Sequence, residues 1–355
     1  MIKILYPDDL DGFKTKYLDI FNLEYMERFW TIYKQRYNIS SSYTIEEILV
    51  ADFETLFDYC FAITYPIADN KFKYLQKLFD YKEKQPEIAK FFMQYKDELK
   101  LATCYYCNID FVNTFQNSQE YFNTLDFINN ANLDEITQVI GSHKASLIID
   151  NRNYANTLDI LTITGIGNSS KDKLEDYQNH LNQLNHFTLD HLIDKAKNPI
   201  AALSIFNFIP SCYSCNSKFK KSLQFINASK ESYRSPTSEN FQFNKEVKFK
   251  IMYAEGIENL EITSLNNFKL YLDTNESYQD YINTFKLNER YVFHKNIVLE
   301  IITKQKEYSD SNIDEMVRII GKSAEEIKKD LYGKEVFEGE LQEKPFTKLK
   351  RDIYE

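Results

Sequence analysis

Four of the five cysteines in this chain fall into two Cys-x-x-Cys pairs, Cys104-Tyr-Tyr-Cys107 and Cys212-Tyr-Ser-Cys215. Two residues between paired cysteines let both sulfurs reach one ion from a tight turn, and four thiolates in a tetrahedron suit zinc. If both pairs serve the same ion, two segments far apart in the chain must meet, and everything between them must leave and return. A closed four-sulfur site has no open position, so the expected zinc is structural. The alternatives are reduced thiols without metal and, less in keeping with the surroundings, a redox pair. No thioredoxin-like βαβ pattern flanks either pair. Cys60 has no partner left and lies on an apolar helical face, which marks it as a buried packing residue.

The chain has 355 residues, room for two or three domains. Gly 8 and Pro 7 are low counts, while Tyr 26 and Phe 27 are high, which predicts helices with aromatic seams. No run approaches the ~18 apolar residues of a membrane span. The N-terminal MIKILYPDDLDGF lacks the long apolar core and cleavage site of a secretion signal, so a cytoplasmic protein with no membrane association is expected. The net charge of -10 excludes a global basic field. Nucleic acid would have to be met by a local basic surface.

Apolar periodicity predicts a helical region over 1–100, including two helices on either side of a break near Pro86. The polar, Ser-rich SKESYRSPTSEN at 229–240 reads as a linker. Beyond it, FQFNKEVKFKIMYA and LEITSL alternate as strands do, and helical spacing returns from Tyr278 to Glu355. The expected class is α+β. Its parts are a helical region 1–100, a core from 101–122 plus 181–228, an insert 123–180, and a mixed strand and helix region 229–355.

The densest polar chemistry lies in HFTLDHLIDKAKNPIAALSIFNFIPSCYSCNSKFKKS, residues 186–222. One strand ends near Asp190-His191, FNFIPS reads as a second, and a helix follows from about Ser214 to Ser222. An adjacent Asp and His can divide metal-assisted hydrolysis, the carboxylate taking a hard cation and the imidazole a proton from water. Asn207 precedes the second cysteine pair and Asn216 directly follows it. Lys195, Lys197, Lys218, Lys220 and Lys221 lie beside these residues and would offer a local phosphate-binding surface, or else an ordinary solvated face. His186 would line the same cleft or stand at a strand edge.

In Asp190-His191, Asn207 and Cys212-x-x-Cys215-Asn216-x-Lys218, framed by both cysteine pairs, the chain resembles the HNH endonuclease family. The form is the one in which two Cys-x-x-Cys pairs hold a ββα-metal nuclease core. The resemblance implies His191 as the general base, Asp190 as a ligand to magnesium or manganese, and Asn207 as a brace that orients the imidazole. Asn216 would be the second ligand, giving a His-Asn-Asn variant. It implies phosphodiester cleavage leaving 5′-phosphate and 3′-hydroxyl ends.

Residues 129–177 contain an internal echo: a short helix, a turn with glycine and a second helix, twice. The second turn, Thr164-Gly165-Ile166-Gly167, can expose backbone N–H groups to a phosphate. With the Asn-Ala-x-x-Asp-Glu-Ile opening and Ile148-Ile149 followed by Arg152, the stretch resembles the tandem helix-hairpin-helix domain of competence-type DNA-binding proteins. That implies sequence-independent binding of duplex DNA through Gly165, Ile166 and Gly167. The first hairpin, Val139-Ile140-Gly141-Ser142-His143, keeps one glycine and departs from the pattern; Lys144 would replace its phosphate contact. Hairpins used only for packing are the alternative.

The expected function is a metal-dependent DNA endonuclease with structural zinc, of the kind found among bacterial defence nucleases. A regulatory protein partner or a homo-oligomer would control it. The rivals are a catalytically inactive, zinc-containing DNA-binding or assembly protein, and an RNase.

Overall fold

The computed structural model describes residues 2–37, 39, 43–62, 70–116, 121–177, 183–223, 234–254, 262–274 and 276–355. It is mostly helical with small antiparallel sheets, an α+β chain. Two compact units form, one from Met1–Asn113 with Phe187–Glu355, the other from Thr114–His186. The expected helical and mixed regions and most of the expected core are thus parts of one unit; the expected insert lies inside the other, together with 114–122 and 181–186 of the expected core. No described helix is long and apolar enough to cross a membrane.

In the larger unit, helices Leu10–Leu18, Leu23–Tyr37, Ile45–Val50, Phe53–Ala62, Asn70–Leu78 and Tyr81–Gln94 surround a core rich in aromatic side chains. Trp30, Tyr17 and Tyr33 are fully enclosed. Each ring brings a large apolar area plus a polar edge that needs a partner. Tyr17 donates to the Leu203 carbonyl at 2.7 Å and Trp30 to the Tyr43 carbonyl at 2.8 Å. Cys60 is buried in this core as a free thiol.

Three sequence expectations are corrected here. The helix Tyr81–Gln94 runs through Pro86; the boundary is at Asp80, whose carboxylate caps Lys82 and Glu83 N–H groups. Lys82 and Pro86 are both exposed, so the carbonyl left without an amide partner faces water. The described part of the expected linker, 234–240, is packed rather than loose. Thr237 donates to the Phe206 carbonyl, Ser238 to Glu54, and the Pro236 carbonyl accepts from Ile4 N–H. The remainder of that stretch lies outside the described residues. LEITSL is not a strand in its described part: Ser264 caps a short turn Leu265–Asn267, and the strand starts at Phe268.

The strands pair in three ribbons. β1 (Thr114–Gln116) is antiparallel to β2 (Gln183–Asn185), joining the two ends of the smaller unit. β3 (Thr188–His191) is antiparallel to β4 (Phe208–Ser211), with His191 opposite Phe208. β5 (Val247–Tyr253) is antiparallel to β6 (Phe268–Thr274). After β4 the chain enters a π-helix, Ser214–Lys220, where a helix to Ser222 was expected.

The smaller unit has its own core, including Phe127, Ile136, Ile148, Ile160, Ile166 and Leu174. Helices Leu133–Ile140 and Ser142–Asp150 are separated only by Gly141, whose φ of 82° a side-chain-bearing residue rarely adopts. The second half pairs a 3-10 helix, Thr157–Thr162, with the helix Asn168–Asp176. Between them Gly165 has φ 97°, and Gly167 stands at the N-cap of the following helix.

Candidate metal centre and hydrolytic site

Cys104, Cys107, Cys212 and Cys215 are all buried, and their sulfurs lie within 4.8 Å of one another. A tetrahedron with Zn–S bonds of ~2.3 Å places its sulfurs ~3.8 Å apart. The four cysteines are therefore close enough to hold one metal ion such as zinc. Backbone N–H groups already point at the sulfurs: Cys212 donates to Cys104 Sγ at 3.3 Å and Cys215 to Cys212 Sγ at 3.4 Å. Without a cation the four cannot all ionise. Burial pushes the Cys215 thiol up, and hydrogen bonding with Cys104 and Cys107 pushes Cys212 up. Burial also acts to raise Cys107, but its cysteine neighbours and Arg290 more than reverse this, leaving it well below the ordinary thiol value. A lowered Cys107 beside a raised Cys212 and Cys215 is a donor set that a divalent ion such as zinc completes.

Two residues that sequence reasoning missed hold this centre. Asn108, directly after the first pair, is buried with φ 53°. Its amide donates to Thr103 Oγ1 and to the Leu341 and Lys344 carbonyls, and its carbonyl oxygen Oδ1 accepts from Lys348 N–H. It ties the first turn to the C-terminal segment. Arg290, from the helix Leu287–Tyr291, donates to Cys215 Sγ at 3.2 Å and Cys107 Sγ at 3.4 Å, and pairs with Asp110 at 3.1 Å. A planar cation bridging two sulfurs offsets the negative charge of a four-thiolate site. Arg290→Met should weaken zinc binding about 10–100-fold, the usual cost of losing such a partner. Chelator competition on the purified chain measures it, and an unchanged zinc affinity would dismiss this role for Arg290. Neither residue carries a local signal, since each partnership is set by the tertiary fold.

Both cysteine turns also deliver a group to Asp190. Tyr106, inside the first pair, donates from its hydroxyl to Asp190 Oδ2 at 2.6 Å. Lys220, at the end of the π-helix begun by the second pair, lies 3.1 Å from each carboxylate oxygen and donates to the His191 carbonyl at 2.8 Å. Asp190 and Lys220 are 4% and 2% exposed. Burial pushes the Asp190 carboxyl up, while Lys220 and Tyr106 pull it back. The expectation that Lys220 offers its charge to DNA is therefore corrected: the ammonium is turned inward to a carboxylate. A magnesium or manganese ion does not fit against Asp190 in this arrangement, because its place against both oxygens is taken.

His191 is 6% exposed. Its Nε2 lies 3.0 Å from the Ala202 carbonyl oxygen. A carbonyl can only accept, so Nε2 carries the proton and Nδ1 keeps the lone pair. Burial, reinforced by Lys195 and Lys220, pushes its pKa well below the ordinary value and keeps the ring neutral. The ring packs edge-on against Tyr81 and Phe208. Asn207 is fully buried: Oδ1 accepts from Ile193 N–H at 2.7 Å, and Nδ2 donates to the carbonyls of Ile193 and Ala201. It fastens both ends of the loop whose Ala202 carbonyl holds the imidazole.

Lys195 stands over the Tyr81 ring, 4.1 Å from its centroid, and both line a cavity of about 360 Å³ with Lys82, Gln85 and Ala202. Lys197, Lys218 and Lys221 are exposed, and Asn216 is half-buried at the second turn of cysteines. His186 belongs to the smaller unit, edge-on to Phe115. In that unit Lys144 Nζ bonds Ser170 Oγ at 3.0 Å, bringing an ammonium to the first turn of the helix that Gly165-Ile166-Gly167 introduces. Ile166 is buried. Arg152 is turned inward, its guanidinium donating to the Ile128 and Ala131 carbonyls at the end of the helix Thr124–Asn130. No family model, curated protein or solved structure matches the chain.

Proposed function

We propose that the chain is a DNA endonuclease of the HNH type, built on a ββα unit with structural zinc. The observation that carries this reading is the pairing of β3 with β4 around Asp190-His191. At that pair a neutral imidazole is held by the Ala202 carbonyl and the loop behind it is fastened by Asn207. In this reading His191 Nδ1 takes a proton from the attacking water as its oxygen bonds phosphorus and the P–O3′ bond breaks; the leaving 3′ oxygen takes a proton from solvent, giving a 5′-phosphate and a 3′-hydroxyl. The loop of Asn207 fixes the direction of that lone pair. Zinc on the four cysteines supplies no step; it holds the turns that carry Tyr106 and the π-helix. No step is assigned to a divalent ion at Asp190 and Asn216 while Lys220 holds the carboxylate.

The smaller unit is the proposed grip on duplex DNA, with the Gly165–Gly167 turn and Lys144 directed at phosphates. Such binding would be independent of sequence and weaken steeply with salt. An endonuclease of this kind suits bacterial defence, and a chain of net charge -10 would rely on local cations near its site.

A second reading has its own support. The Asp190–Lys220 pair and the burial of His191 describe a core closed to solvent, which favours a zinc-containing DNA-binding or assembly protein without hydrolysis. Plasmid cleavage by the purified, zinc-loaded chain separates the two, run without added divalent ion, with magnesium and with manganese. Nicking or linearisation is expected. DNA retention without cleavage under all three conditions would leave the second reading.

A further inference from the structure

The Lys220 ammonium has three acceptors, and all are oxygens. Asp190 Oδ1 and Oδ2 each lie 3.1 Å away and the His191 carbonyl 2.8 Å away. Two carboxylate oxygens and a backbone carbonyl are the donors that hard divalent cations prefer. The distances are those of N–H···O bonds rather than metal bonds, yet the electrostatic role is the same: a cation enclosed by oxygens. Lys220 lies 3.1 Å from both carboxylate oxygens and Tyr106 donates to Oδ2 at 2.6 Å, so a metal ion taking the same place against Asp190 would have to displace the ammonium, which it repels at that range.

The segment that carries Lys220 is irregular. Lys221 N–H bonds the Asn216 carbonyl five residues back, at 2.8 Å, and Lys221 itself has φ 51° and ψ -125°. That combination is costly for a residue with a side chain. One extra residue in a helical turn changes a side chain's direction by about 100°. The π-turn is thus what aims Lys220 inward between the exposed Lys218 and Lys221. A return to regular α-helix would withdraw it.

We propose that Lys220 is a built-in counter-cation that competes with divalent metal ions for Asp190. This rests on the reading of Asp190 as a ligand position, and its test needs no nucleic acid, so a chain that fails to cleave DNA does not decide it. The full-length, zinc-loaded chain would be titrated with Mn2+ and followed by electron paramagnetic resonance. Wild type is expected to show no Asp190-dependent site below millimolar Mn2+. Lys220→Met should gain one site at least 10-fold tighter, and Asp190→Asn/Lys220→Met should lose it. An Asp190-dependent site of equal affinity in wild type and Lys220→Met would overturn the proposal. So would a folded Lys220→Met that gains no site.

Lys220→Met leaves the buried Asp190 carboxylate with Tyr106 but without its cation. If it does not fold, Lys220→Gln carries the same comparison, since its amide still donates to oxygen. Failure of both to fold even with Mn2+ present would also overturn the proposal, because an ion able to replace the ammonium would restore the balance of charge.

Discussion

Removing the metal from the four cysteines should unfold the larger unit and spare the smaller one. Cys104→Ala or Cys212→Ala, or a strong chelator, is expected to abolish the main cooperative transition of Met1–Asn113 with Phe187–Glu355. The magnitude follows from where the cysteines sit. Structural zinc contributes on the order of 10–16 kcal/mol in small zinc modules, more than the net stability of most domains. Here the first turn is bonded to both ends of the unit. Ile2 N–H bonds the Tyr105 carbonyl, Tyr291 bonds the Cys107 carbonyl, and Phe346 N–H bonds the Asn108 carbonyl. Losing the ion leaves four buried sulfurs with no shared cation and Arg290 facing them, so the cost spreads through that network. The smaller unit, with a separate core of Phe127, Ile136, Ile148 and Leu174, should keep its helices. Zinc content by mass spectrometry, thermal melting and limited proteolysis would be followed together. A chelated, zinc-free chain that melts as before would show the cysteines to be packing residues.

How much of this was written locally in the sequence depends on the range of the interaction. The cysteine pairs, the strand ending at Asp190-His191 and the strand before Cys212 were legible, because spacing and alternation are properties of neighbouring residues. The two glycine hairpins were legible too, since a connection as tight as Gly141 needs a residue free to take positive φ. Lys220 was misjudged because a run of lysines after a helix start reads as a solvated face. Only the π-turn selects one of them for the interior, and no periodicity announces it. Arg290, Asn108 and Tyr106 were missed for a related reason: each is an ordinary residue until the fold brings a sulfur, a carbonyl or a carboxylate to it. The Ser-rich stretch before Phe241 shows the converse. Its composition signals irregular backbone, which its described part has, but composition does not report that Thr237 finds a buried carbonyl and Ser238 the Glu54 carboxylate.

His191→Ala should reduce cleavage by about three orders of magnitude while zinc content and duplex binding stay near wild type; the melting temperature falls, because the buried ring packs against Tyr81 and Phe208. General base catalysis by a positioned side chain typically supplies 10²–10⁴-fold, and the middle of that range is expected for this imidazole, held in one tautomer by one carbonyl. Asn207→Ala provides the contrast. It removes three buried hydrogen bonds from the loop that carries Ala201 and Ala202, so it should lower both stability and rate, and the rate through misdirection of the ring rather than loss of the base. Both variants should lower the melting temperature by several degrees, His191→Ala through the space left against Tyr81 and Phe208 and Asn207→Ala through the ~1–3 kcal/mol cost of each unsatisfied buried group; they separate on rate, because only His191→Ala loses the base. Equal cleavage by His191→Ala and wild type, in protein shown to be free of other nucleases, would remove the imidazole from the mechanism. The proposed reaction would then need another base.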